Sequence, residues 1–145
     1  MNANVPPLEP ITQEDQYILT QVGNHRVAFA ANWVGGILLS ERSQVLALPF
    51  YQEPILGIVH HQGQLVPLVM LQQLLDDTPV QMREVFNAIQ LSERTDTPGL
   101  GLVIDRLLGN CSDEDVAADD TIERFQPDLL EPDLWEPSRW AALST

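Results

Sequence analysis

The stretch PILGIVHHQGQLVPLVMLQQLL, residues Pro54–Leu75, decides the architecture. Two runs of β-forming residues, 55–61 and 64–70, flank Gln62-Gly63, and glycine supplies the positive φ that a two-residue hairpin turn requires. A turn centred there sets His61 opposite Gln64, Val59 opposite Val66 and Ile58 opposite Pro67. Both faces of such a hairpin are largely apolar. Each therefore needs cover, from the chain's own core on one side and from core or a partner on the other. Pro67 has no N–H to give a ladder and marks an edge. Leu71–Leu75 has helical spacing for about one turn, and Asp76-Asp77-Thr78-Pro79 stops it.

Outward from this hairpin the chain continues to read as short strands. Upstream, 16–22 and 25–30 are separated by Gly23-Asn24, the pattern of a second tight hairpin. Residues 33–39 form a third strand interrupted by Gly35-Gly36, where a glycine pair marks a bulge, a bend or close backbone approach. Residues 45–48 are a short strand candidate ended by Pro49, and 50–54 are a turn-rich connection. Downstream, 84–91 and 100–108 are strands joined by a turn around Pro98, and Gly109-Asn110 breaks the chain again. Beyond it the periodicity weakens: 113–125 is acidic with scattered apolar residues, and 139–143 supplies a last strand. Residues 1–14, with three prolines, form an extended tail, and 15–145 form one domain. Many short strands with few helices predict an all-β barrel or sandwich.

The 145 residues, 44% of them hydrophobic, suffice for one buried core. Acidic residues number 21 against seven basic ones, all arginine, for a net charge of −14. Nucleic-acid binding draws its free energy from cations meeting phosphates, so this balance argues against DNA or RNA. It disfavours an anionic membrane surface in the same way. Ten carboxylates fall between Asp113 and Glu136 against one cation, Arg124. They are either a solubilising face or a surface that selects a basic partner. No apolar run reaches the roughly 20 residues that span a bilayer, and the N-terminus lacks the pattern of a secretory signal. The reading is cytoplasmic, without membrane insertion.

No residues assemble into a catalytic pattern. His60 and His61 are adjacent on a strand, point to opposite faces and cannot easily share a metal. Cys111 lies among Asp113, Glu114 and Asp115, whose field opposes a thiolate. The chain has no G-x-S-x-G elbow, and without lysine no Walker A loop is available. No cofactor or metal is expected, and the chain is not expected to be an enzyme.

The order Leu48-Pro49, Ile55–Val59, Gly63–Val69 and Leu71, followed by Gly101–Leu107, resembles the CheW-like domain. The opening hairpin, Tyr17 to Phe29, is similar to that family's first two strands, so the resemblance covers about residues 16–108. It implies two intertwined five-stranded SH3/OB-like β-barrels with a short helix between strands. It also implies a non-catalytic adaptor that couples the regulatory domain of a CheA-type histidine kinase to a methyl-accepting chemoreceptor-like protein, peripheral to membrane receptor arrays. Chemotaxis, phototaxis and pilus motility are the processes it implies. The partner-binding candidates are Val34, Gly36, Gly57, His61, Gln62, Gly63, Val66, Val103 and Asp105. Several also have plain structural readings: Gly57 and Gly63 as backbone geometry, and Val34, Val66 and Val103 as core.

The chain departs from the family pattern at three places. Gln62 stands for an arginine before the turn glycine, Met70 for an aspartate before leucine, and Gly36 for an acidic residue after the third-strand valine. The charged network that relatives build near their contacts cannot form as such here. The C-terminus also looks short for the family's last strand and helix, leaving the second barrel open or closed by another chain. Two alternatives stay open: a diverged β-barrel protein-binding module or homodimer outside a chemosensory array, and a small-ligand-binding β-barrel or enzyme, which a deep, closed polar pocket would favour.

Overall fold

The computed structural model describes residues 16–48, 54–76 and 83–130. The tail expected over 1–14, the strand expected at 139–143 and most of the connection at 50–54 lie outside the described residues. Nine strands form two sheets. They are β1 (Gln16–Val22), β2 (His25–Ala30), β3 (Val34–Glu41), β4 (Ile55–His61), β5 (Gln64–Met70), β6 (Val85–Leu91), β7 (Gly101–Ile104), β8 (Arg106–Ser112) and β9 (Ile122–Arg124). Two one-and-a-half-turn helices, α1 (Leu71–Asp76) and α2 (Asp113–Ala118), punctuate them. The smaller sheet has the order β8-β1-β2-β9 and the larger β3-β6-β7-β5-β4. The all-β class and the two-sheet, barrel-like plan with a short helix after β5 are borne out; the smaller sheet has four strands among the described residues.

The central hairpin has the register its turn dictates, with Ile58 opposite Pro67, Val59 opposite Val66 and His61 opposite Gln64. Gln62 (φ 50°) and Gly63 (φ 80°) are both left-handed, the signature of a type I′ turn, whose twist matches that of the flanking strands. Although β5 sits between β4 and β7, β7 pairs only with Leu68–Met70. Pro67 precedes that segment, so its missing N–H is tolerated.

The larger sheet is apolar on both faces, and each face has its own core. Ile55, Val69, Ile89, Leu91, Leu102 and Ile104 pack with Val22, Val27 and Phe29 of the smaller sheet. Leu38, Val59, Val66, Leu68, Met70, Phe86, Ala88 and Val103 fill the other face, where the sheet curls over itself. Two bulges decide which residue serves which core. Val34 and Leu38 are four apart and would share a face on a regular strand, but an extra residue at Gly35 moves Val34 to the first core and Leu38 to the second. An extra residue at Leu56 does the same for Ile55 and Val59.

Three expectations are corrected. Residues 45–48 are not a strand: Leu46 makes only an isolated bridge to Ile58, and the Val45 N–H is taken up by Arg42 O in the 3-10 turn at Arg42–Gln44. The strand expected over 100–108 is two strands, β7 and β8, parted at Asp105. Gly109-Asn110 does not break the chain, because β1 pairs with β8 on both sides of a bulge and Gly109 (φ 138°) accommodates the kink. Within the acidic stretch, residues 113–124 form α2 and β9. Ser112 caps α2, its hydroxyl accepting from the Asp115 N–H while the Asp115 carboxylate accepts from the Ser112 N–H. β9 then pairs in parallel with β2.

Candidate functional site

An open groove of about 930 Å³ lies where three segments meet: the turn entering β3, the tip of the β4–β5 hairpin, and the β6–β7 loop. Asn32, Val34 and Gly35 form one side, and Gln64 and Leu65 form another. Arg94 and Pro98 belong to the loop that forms the third. That loop is fixed by its own bonds. Ser92 donates its N–H to Trp33 O at 2.8 Å and its hydroxyl to Asn32 O at 2.6 Å. The Thr95 hydroxyl donates to Ser92 O at 2.9 Å, and Gly99 N–H donates to Leu91 O at 2.9 Å. A wall tied down at both ends offers a partner a preformed surface, so little ordering entropy is lost on binding. Leu65 is 65% exposed beside it, an apolar side chain with no cover of its own.

Among the groove's lining residues only Glu93 and Arg94 carry ionisable groups, in a chain of net charge −14. The rest are amides, a hydroxyl, glycines and apolar groups. The groove opens to solvent, unlike the deep closed polar pocket expected of a ligand-binding barrel. The described residues contain no cluster of histidine, cysteine and carboxylate side chains suited to a metal. His60 is exposed and His61 half-buried on the opposite side of their strand. Partial burial, and then the charge of Asp115, push the Cys111 thiol up, away from the reactive thiolate.

The structure brings several of the sequence candidates together here. Val34 lines the groove, Gly36 pairs with the lining residue Gln90, and His61, Gln62 and Gly63 form the hairpin tip that leads into Gln64 and Leu65. The others lie elsewhere. Val66 is fully buried and Val103 is 8% exposed, both in the second core. Met70, in place of the family's aspartate, joins them there, so the position is apolar by environment as well as by sequence. Gly57 lies under the Leu46 carbonyl.

Asp105 holds the first hairpin: its carboxylate accepts the Gly23 N–H at 2.9 Å and its own N–H donates to Gln21 O at 2.8 Å. Asp105→Ala leaves the Gly23 N–H without this acceptor and is expected to cost about 1 kcal/mol. Asp105→Asn, which keeps a carbonyl acceptor, costs less. Denaturant titration of the two variants measures the difference.

A second surface was not foreseen. Ile37 (43% exposed), Leu39 (66%) and Val85 (50%) lie on one face at the β3–β6 edge of the larger sheet, beyond the cover of the smaller one. β3 ends that sheet among the described residues, which give its outer edge no ladder partner. The run Ile37-Leu38-Leu39 reads as strand from sequence, but which members face outward depends on the bulge at Gly35.

A family model of the CheW-like domain matches residues 16–123. A search of curated proteins returned no match. Among solved structures, the chain is similar to the scaffolding protein TtCheW from Thermoanaerobacter tengcongensis, with a TM-score of 0.57 and 13% sequence identity. That match covers 71% of this chain and 68% of the other. At such identity the likeness speaks for the fold, and the family model for the membership. No helix among the described residues is long and apolar enough to cross a membrane. With three-quarters of its length matched by the family model and two sheets arranged as in a solved scaffold of that name, the chain belongs to the CheW-like domain family.

Proposed function

We propose that this protein is a non-catalytic adaptor of the cytoplasm, joining the regulatory domain of a CheA-type histidine kinase to the tip of a methyl-accepting chemoreceptor-like protein. The observation that carries the reading is the pre-ordered groove beside the hairpin tip, lined mostly by amide and apolar groups and set in a CheW-like domain. An open groove with an uncovered leucine suits a helical tip that lays an apolar face into it. Val34, Gly36, His61, Gln62, Gly63 and Leu65 are the contacts we assign to it. Val66 and Val103 lie in the second core, Gly57 under the Leu46 carbonyl and Asp105 at the first hairpin, so we assign these four to the fold and not to the groove. The separate β3–β6 edge, with Ile37, Leu39 and Val85, fits a second partner, the kinase domain, so that both can be held at once.

The test is a titration of the full chain with each partner alone. Leu65→Glu places a charge in the groove at a position 65% exposed and therefore leaves the melting temperature nearly unchanged. It is expected to weaken binding of the receptor tip at least tenfold, about 1.4 kcal/mol, while sparing the kinase domain. Leu39→Glu is expected to do the reverse. If the wild-type chain binds neither partner at roughly tens of micromolar, the range of transient signalling contacts, the adaptor reading is wrong. The β3 edge, without a ladder partner among the described residues, also favours one other reading, a homodimer paired strand to strand, although a charge of −14 on each copy opposes it. Light scattering of the wild type and Leu39→Glu separates the two.

A further inference from the structure

The histidine that takes part in no reading so far is His25, at the start of β2. Its ring stands between two carboxylates from distant elements. Nε2 lies 2.7 Å from Asp76 Oδ2, at the end of α1, and Nδ1 lies 2.5 Å from Glu123 Oε2, on β9. A carboxylate only accepts hydrogen bonds, so both contacts are satisfied together only when both ring nitrogens carry a proton.

We propose that His25 is a pH-operated clasp, holding α1 and β9 to the start of β2 while its ring is doubly protonated and releasing one of them when it is not. The neutral imidazole has one N–H and one lone pair. Whichever nitrogen loses its proton then faces a carboxylate across less than 3 Å, and that arm must open. Asp76 is the last residue of α1, which lies over the first hairpin, with the Gln72 side chain against Gly23. Glu123 is the middle residue of three-residue β9, which pairs with Arg26, Val27 and Ala28 of β2, so the His25 contact adds a side-chain tie at the centre of that short ladder.

Among the described residues, the arginines next along each strand are engaged elsewhere. Arg26, next along β2, bonds Asp119 and Thr121. Arg124, next along β9, bonds Asp113. Asp105, across the β1–β2 turn, accepts from Gly23 and adds a further negative charge to the region. The bonds to Glu123 and then Asp76 raise the His25 pKa, against the opposing effect of partial burial. A group whose folded pKa is raised stabilises the fold at low pH, and that contribution is lost as pH rises through the folded value. The clasp is therefore shut on the acid side and opens toward alkaline pH, in a window above the ordinary histidine value of about 6.5. The inference stands whether or not the chain joins a kinase to a receptor.

NMR titration of the ring nitrogens in the full chain, with amide hydrogen exchange at each pH, tests it. The expected result is a His25 midpoint above about 6.5 that falls in both Asp76→Asn and Glu123→Gln. Across that midpoint, protection of the last turn of α1 and of the Phe125 amide, which donates to Ala28 O, is expected to drop beyond the intrinsic pH dependence of exchange. The drop should be roughly tenfold for each unit by which the midpoint is raised, and absent in His25→Gln. A wild-type midpoint at or below the ordinary value overturns the proposal, as does a midpoint indifferent to both carboxylate variants. So does protection that follows the same course with and without the imidazole. Should His25→Gln not fold, the two carboxylate variants, at partly exposed positions, still decide the matter.

Discussion

Gly57→Ala is expected to destabilise the protein by about 3 kcal/mol, lowering the melting temperature by roughly 6–12 °C for a chain of this size. Two independent costs combine there. The backbone at Gly57 has φ 151°, a conformation that residues with a Cβ rarely adopt. A Cβ built on it would also sit 2.4 Å from the Leu46 carbonyl oxygen and 2.9 Å from its carbon. These are backbone atoms, so no side-chain rotation relieves the clash. The loop would have to lift, breaking the paired bonds from Leu46 N–H to Ile58 O (2.8 Å) and from Ile58 N–H to Leu46 O (2.9 Å). Loss of amide protection at Leu46 and Ile58 is therefore expected alongside the fall in stability. Gly63→Ala provides the comparison: its φ of 80° is equally left-handed, but nothing lies within 4 Å of the added atom. It should cost only about 1 kcal/mol, from the conformation alone. Equal losses at the two glycines would show that contact with the loop contributes nothing.

The contrast between these glycines also shows what a sequence can reveal. Gly63 was legible because a turn signal lay between two runs of β-formers, and a two-residue loop fixes register by local geometry. The first hairpin was legible for the same reason. Gly109 was misread because a glycine that breaks a strand and one that permits a bulge look alike until the partner strand is known. Here β1, some 90 residues earlier in the chain, supplies the pairing. The division of apolar residues between two cores was hidden for a related reason. Where both faces of a strand are apolar, alternation carries no information about which face meets which neighbour.

The groove was half legible. Its hairpin tip and Val34 were identified by family likeness, whereas the 92–99 wall read only as a turn, its rigidity coming from bonds to Trp33 and Asn32 some 60 residues away. His25 carries no signal in the sequence, because its two partners come from distant elements. Asp76 and Glu123 lie 51 and 98 residues from it. Local chemistry is read from the chain, and long-range pairing is not.

Phe29→Ala should be the most damaging single truncation, at about 3–5 kcal/mol. Phe29 is fully buried in the core between the sheets. Its ring stacks on Phe125 at a centroid distance of 4.8 Å, and Trp33 meets Phe125 edge-on at 6.2 Å. Phe125 follows β9 directly, so this aromatic stack fastens a three-residue parallel strand that could not hold itself by three pairings alone. Truncating Phe29 leaves a cavity and also removes the surface on which Phe125 rests. Phe125→Ala should then cost less in the Phe29→Ala background than in the wild type, by about 0.5–1.5 kcal/mol, the usual worth of an aromatic pair beyond its buried area. A double-mutant cycle measured by denaturant unfolding reads that coupling directly, and strict additivity would mean that the two rings act as independent fillers. The same cycle bears on the binding surfaces. Because Trp33 packs on Phe125 and its carbonyl anchors Ser92, loosening the stack should also relax the groove wall and weaken a groove-bound partner in proportion to lost stability. Leu65→Glu should weaken that partner with stability nearly unchanged, and this difference separates a residue that builds the site from one that touches what the site holds.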